Sequence, residues 1–173
     1  FVKYLVNLVK KVVPEREDEQ EFNLKYIKFG MLSTSEMSLL QAKKEIVVYA
    51  QQTRKLFRRL NTMLNEDNER KFIKQFEKVE TGEFKSDEME VSIAKYLTKV
   101  AEGELSKESS KRVSAMLSII AEIESMGDSC LNIARAMSRA YNLKTDKFTP
   151  EMKDKIQKIL VLVEKAFDTM IEN

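Results

Sequence analysis

Apolar residues return along this chain in steps of three and four, in four long stretches separated by short polar breaks. That rhythm is the signature of helices packed along a seam. The first stretch runs Leu39, Ala42, Ile46, Tyr49, Thr53, Leu56, Leu60 and Met63, with Ser35 before Glu36 as the expected N-cap. The third runs Val113, Met116, Ile120, Ile123, Gly127, Cys130, Ala134, Met137 and Tyr141. The fourth opens on Thr149-Pro150, a cap followed by proline in the first turn, and continues through Met152, Ile156, Ile159, Val163, Ala166 and Met170. The pattern predicts an all-α fold, an antiparallel bundle of long helices spanning 35–173, with helix in more than about 70% of the chain against a base rate near one third.

The second stretch breaks the rule. Its seam reads Phe72, Phe76 and Val79, turns polar at Glu83, Ser86 and Glu90, then resumes at Ile93, Leu97 and Val100. A carboxylate on a buried seam costs several kcal/mol unless a cation, a proton or solvent satisfies it. Asp87 lies four residues after Glu83, so the two share a face. Thr81-Gly82 offers an alternative: a break in the helix there would place the acids on an exposed elbow.

The third stretch carries a matching pair. Glu124 and Asp128 are four residues apart with Gly127 between them. Glycine in a helix costs about 1 kcal/mol relative to alanine, and its missing side chain lets another backbone or an ion approach. If the second and third helices turn back at Glu102-Gly103-Glu104, Phe84 comes level with Glu124, and Glu83 and Asp87 face it. A turn near Asn65-Glu66 similarly sets Glu45 level with Ser86, and the last helix could bring Glu164 and Asp168 to the same height. The expected site is therefore a carboxylate layer made of Glu83, Asp87, Glu90, Glu124 and Asp128. Oxygen-only donors favour hard cations, here magnesium, manganese, calcium or iron. The competing reading is structural: carboxylates sharing protons, or paired with lysines such as Lys85 and Lys95.

Composition narrows the chemistry. There is no histidine and one cysteine in 173 residues, so zinc sites, Ser-His or Cys-His nucleophiles and disulfides lack their residues. The di-iron layout of helical bundles needs histidines too. Cys130, on a seam, reads as a small core residue, and the scarcity of cysteine suits a reducing cytoplasm. Thirty basic residues balance 28 acidic ones without a dense basic block, so nucleic acid is not an expected partner. No phosphate loop or oriented base is present, and no catalytic residue is assigned.

Upstream, Phe1 to Pro14 is a separate amphipathic segment. Phe1, Leu5, Leu8 and Val12 fall on one face and Lys3, Asn7 and Lys10 on the other. The thirteen residues before Pro14 are too few to cross about 30 Å of hydrocarbon, so the segment lies on a membrane surface or docks on the bundle. An acidic linker follows, within 15–34. The chain starts at Phe1 rather than Met, which reads as a fragment or a processed product.

These residues carry a resemblance. Ile123-Glu124-Ser125-Met126-Gly127-Asp128, continuing to Asn132-Ile133-Ala134, resembles the glutamate-x-x-glycine-aspartate signature of PhoU-like helical domains. Ala94 to Val100 with Gly103-Glu104-Leu105-Ser106 resembles the segment before that signature in sodium/phosphate cotransporters. Thr34-Ser35-Glu36 through Ala42-Lys43-Lys44-Glu45 is similar to the start of the same cytoplasmic region. The resemblance spans about residues 22–172. It implies a PhoU-like three-helix repeat plus a further C-terminal helix, on the cytoplasmic face of the inner membrane. Residues 1–14 would then be juxtamembrane, and the partner would be the membrane part of the same transporter. A homodimer is a further candidate assembly. The implied function is regulation of phosphate transport, with a freestanding PhoU-type adaptor as the alternative. It also implies that Glu124 and Asp128 form an acidic metal-binding signature, faced by Glu83, Asp87 and Glu90. The chain departs from the family at Ser129, where such domains often have histidine, and in lacking a second full repeat. Both departures speak against a multinuclear metal cluster.

Overall fold

A computed structural model describes residues 24–28, 34–143 and 148–172. Four α-helices follow one another: α1 Ser35–Leu64, α2 Glu69–Ala101, α3 Lys107–Leu143 and α4 Pro150–Glu172. Helix accounts for 88% of the described residues, with no strand among them. The amphipathic segment 1–14 and residues 15–23 of the linker lie outside the described residues.

The first three helices form a triangular bundle in which each packs on the other two, while α4 packs on α1. All eight seam residues of α1 are buried. α2 buries Phe72, Val79, Ser86, Ile93, Leu97 and Val100 of its seam, and adds Met89 and Tyr96. On α3 Val113, Ile120, Ile123, Gly127, Cys130, Ala134 and Met137 are buried. Short connections enforce the antiparallel pairs α1/α2 and α2/α3. α1 and α3 consequently run parallel, tied near their starts by Ser109 Oγ donating to Glu36 Oε1 (3.1 Å) and near their ends by Tyr141 Oη donating to the Asp67 carbonyl (2.8 Å).

One detail settles an alternative left by the sequence, and three depart from its expectation. α2 is continuous through Thr81-Gly82, so the elbow does not form. Gly82 instead lets α1 come close: a Cβ there would sit 2.5 Å from Leu56 Cδ2. Thr34, not Ser35, is the N-cap of α1, with no side-chain capping bond. By contrast, Asn68 caps α2 through the Lys71 amide (3.1 Å) and Thr149 caps α4 through the Met152 amide (3.3 Å). The second departure is in α4, whose buried line is Leu160 and Phe167. Ile159, on the expected seam, is 60% exposed. Phe167 meets Phe57 with ring centroids 5.7 Å apart, and Arg54–Asp168 and Arg58–Glu164 ion pairs flank the contact.

The third departure concerns Glu45. It is buried, but far along α1 from the acidic layer, because Ser86 is level with Thr53 instead (Thr53 Oγ1 to Ser86 Oγ, 3.3 Å). The Glu45 carboxylate accepts from the backbone amides of Lys25 (3.1 Å) and Tyr26 (2.6 Å). Two charge-assisted bonds satisfy what would otherwise be a costly buried charge. They also clamp residues 24–28, placed in the linker by sequence, onto the bundle, with Ile27 entering the core.

Candidate functional site

α2 and α3 present the five predicted carboxylates to one another near the middle of the bundle. The pairing is shifted by about one helical turn from the sequence estimate. Glu83 meets Asp128 within hydrogen-bond reach, Asp87 faces Asp128 and Glu124, and Glu90 faces Glu124. Glu83, Asp87, Glu90 and Glu124 are half-buried on the flank of the seam, while Asp128 is exposed. All five residues thus lie on the facing flanks of α2 and α3. Glu164 and Asp168 are spent instead on the arginines of α1.

The electrostatics follow from burial and mutual repulsion. Loss of solvent, then Asp87 and the shared hydrogen bond with Asp128, raise the Glu83 carboxyl above its ordinary value; Arg135 opposes this in part. Desolvation followed by Asp128 raises Asp87, and desolvation followed by Asp87 raises Glu90. Glu124 is raised by desolvation, then by Asp128, Glu90 and Asp87. Every influence on Asp87, Glu90 and Glu124 pushes the same way, and Lys85 lines a different groove on the α1 side of α2. Lys85 therefore does not serve this layer, whereas Lys95 lines a hollow beside Glu90. A proton or a cation would relieve the layer.

Beneath the acids lies a polar floor read from sequence only as seam packing. Thr53 Oγ1 also donates to the Tyr49 carbonyl (3.2 Å), and Gly127 sits against Ser86 and Thr53. Tyr49 is fully buried, and its hydroxyl lies beside Ser86 without a hydrogen-bond partner of regular geometry. Burial first, and then the field of Glu90, Glu124 and Asp87, raise the phenol far above its ordinary value. An orphaned hydroxyl at this depth is costly, and it is aimed at the same level as the carboxylates. Tyrosine in an apolar rhythm gives no hint of this role; only the register reveals it.

The donor chemistry fits a hard cation: oxygen ligands from two facing helices, a field that favours positive charge, and an unpaired hydroxyl below. The geometry is not a finished cage. Among the described residues no three acidic or cysteine side chains are close enough together to hold a metal ion. Side-chain rotation on α2 and α3 would be needed to converge the acids. Cys130 is a core residue as expected, its thiol pushed up to about 12 by burial.

Comparison with known families places the fold and the acidic layer in context. The PhoU domain matches residues 46–137, just over half of the chain, from the middle of α1 to near the end of α3. The chain belongs to the PhoU domain family. No curated protein and no solved structure gives a significant match. The matched segment includes all of α2, most of α1 and α3, all five carboxylates and the polar floor, so the acidic layer lies inside the PhoU unit. α4 and the Glu45 clamp on residues 24–28 lie at or beyond its edges. A PhoU domain is a helical unit of phosphate-related regulation rather than of catalysis. No described helix is long and apolar enough to cross a membrane.

Proposed function

We propose that this chain is the cytoplasmic regulatory domain of a sodium-dependent phosphate transporter. Its partner is then the membrane part of the same protein, and it carries out no chemical step. The observation that carries the reading is the PhoU unit at residues 46–137. It is supported by the likeness of residues 34–45 and 94–106 to the cytoplasmic region of sodium/phosphate cotransporters. In such an arrangement the domain acts by binding two transporter states unequally, since only a differential affinity shifts an equilibrium.

The acidic layer is the part of the domain suited to receive a signal. A divalent cation there would neutralise carboxylates that repel one another across α2 and α3, and would draw the two helices together at that level. Cation occupancy would thereby bias the shape of the bundle.

The encoded sequence upstream of Phe1 separates this reading from a freestanding PhoU adaptor, since a transporter requires several apolar spans there. Where spans are present, sodium-dependent phosphate uptake should change when residues 35–172 are deleted; unchanged uptake refutes regulation. The cation is tested by melting curves of this chain with EDTA and with manganese or magnesium. Metal should raise the melting temperature by mass action, and Glu124→Gln with Asp128→Asn should abolish that response. Melting that ignores metal in both proteins removes the cation from the proposal.

A further inference from the structure

On the other flank of α2 lies a groove of opposite sign. It runs between α1 and α2, has a volume of about 790 Å³, and is lined by Lys25, Lys55, Arg59, Lys74, Lys78 and Lys85. From Val48 to Arg59 it follows α1 for about 16 Å at 1.5 Å per residue. The chain as a whole has a net charge of only +2, so six cations along one groove are a strong local segregation.

Two acids line the same groove, Glu45 and Glu77. Glu45 is buried and bound to the Lys25 and Tyr26 amides, which leaves Glu77 as the one acid among the described residues open to the groove. Lys55 reaches Gln52 Oε1 and Arg59 reaches Gln75 Oε1, both at 3.3 Å. Neither of those acceptors is charged. Among the described residues no ion pair holds Lys55, Arg59, Lys74, Lys78 or Lys85. Five unneutralised cations repel one another, and an anion would remove that cost.

The two rows are also ordered. Lys55 and Arg59 are one turn apart on α1; Lys74 and Lys78 are one turn apart on α2, and Lys85 lies two turns further on the same face. A small monovalent anion could engage only part of such a line. The walls are helices whose backbone amides are already used, so contacts must come from side-chain ammonium, guanidinium, hydroxyl and amide groups. Those are the partners of phosphate oxygens. Among the described residues an acidic peptide would find no open strand edge, and no aromatic side chain lines the groove to stack a base.

We infer that this groove binds a soluble anion carrying several linked phosphate groups, held between the Lys55–Arg59 row of α1 and the Lys74–Lys78–Lys85 row of α2. The inference stands apart from the transporter reading, because it concerns binding by this chain alone; failure of the uptake test leaves it intact, and the reverse holds too.

The experiment is calorimetric titration of the 173-residue chain with sodium tripolyphosphate. Binding should be saturable and should weaken as salt is raised. Lys55→Gln with Lys78→Gln should lower the affinity at least tenfold. Both residues are exposed, so helicity should be unchanged. Lys107→Gln with Lys111→Gln, also exposed but outside the groove, should leave binding as it was. Absence of binding at millimolar tripolyphosphate, or an equal loss from both pairs of substitutions, overturns the inference. So does binding that emerges only after Glu15, Glu17, Asp18, Glu19 and Glu21 are neutralised, which would assign the groove to the chain's own acidic stretch. Binding to phosphatidylglycerol vesicles without any to tripolyphosphate would likewise overturn it, in favour of a membrane surface.

Discussion

Two glycines on facing helices make opposite demands, and replacing each with alanine tests the packing directly. At Gly127 a new Cβ would lie 3.6 Å from Ser86 Oγ and 3.9 Å from Thr53 Cγ2, ordinary van der Waals contacts. Nothing has to move, so the substitution gains the helix propensity of alanine, about 1 kcal/mol. For a chain of this size that is a rise of roughly 2–4 °C in melting temperature. At Gly82 the new Cβ would lie 2.5 Å from Leu56 Cδ2, and Leu56 is itself buried. Its side chain must leave its place, an overpacking cost of about 1–3 kcal/mol, which cancels or exceeds the same gain in propensity. Thermal melting by far-UV circular dichroism of metal-free protein should therefore rank Gly127→Ala above wild type, and Gly82→Ala at or below it. A destabilised Gly127→Ala, or a Gly82→Ala variant at least as stable as Gly127→Ala, would refute the register assigned to α1, α2 and α3. The expected order also has a functional edge. Since packing tolerates a methyl at residue 127, stability does not explain the glycine, and the space it leaves over the polar floor becomes the reason to examine.

The acidic layer sets a pH dependence. Glu83, Asp87, Glu90 and Glu124 all have raised folded-state values, so the folded chain keeps protons that the unfolded chain releases. Their contribution is fully present below the ordinary carboxylate range and is lost as pH rises through the raised values. Urea midpoints without metal should fall as pH rises above the ordinary carboxylate range from this cause, and Glu83→Gln with Glu124→Gln should flatten that fall; equal slopes in both proteins would refute it. Glu45→Ala should cost about 1.5–3 kcal/mol through its two charge-assisted bonds, with faster amide exchange at Lys25 and Tyr26; unaltered exchange there would refute the clamp. Phe167→Ala should cost about 3–5 kcal/mol, whereas Ile159→Ala should stay within about 0.5 kcal/mol as a surface change; the reverse order would restore the seam read from sequence.

The contrast at α4 shows where periodicity runs out. α1 also holds an apolar run, Ile46-Val47-Val48-Tyr49-Ala50, but there the seam from Leu39 to Met63 is buried throughout, and in α3 most of the line from Val113 to Met137 is buried too. In α4, Ile159, Leu160, Val161, Leu162 and Val163 are consecutive and all apolar. Such a run fits a heptad in several phases, and only packing on α1 selects Leu160 and Phe167. The acidic layer was legible for a different reason: carboxylates interrupting an apolar seam, and a Glu–Asp pair beside a glycine, are conspicuous in sequence. Their exact partners were not, because helices stagger and the midpoint of a turn does not define the level of the residues it joins. An offset of one turn kept Glu83, Asp87 and Asp128 together, since side chains four residues apart share a face. The same kind of error on α1 displaced Glu45 entirely, because Thr53 and Tyr49 come level with Ser86 instead.

The least legible feature was the division of charge across α2. Lysines and glutamates alternate closely in the sequence, and the balance of the chain is near neutral, so a linear reading finds no patch of either sign. Folding sorts them by helical angle. Glu83, Asp87 and Glu90 turn toward α3, while Lys74, Lys78 and Lys85 turn toward the groove along α1. Ser86 lies between the two flanks, lining the basic groove and touching Thr53 and the space beside Gly127. The core at this level is made of small hydroxyls, a glycine and an unpaired phenol rather than interlocking aliphatic side chains. Such a layer gives up little dispersion energy when helices shift by a fraction of an ångström, unlike the apolar layers above and below it. A cation on one flank or an anion on the other would therefore move α2 most easily at the point where the bundle resists least.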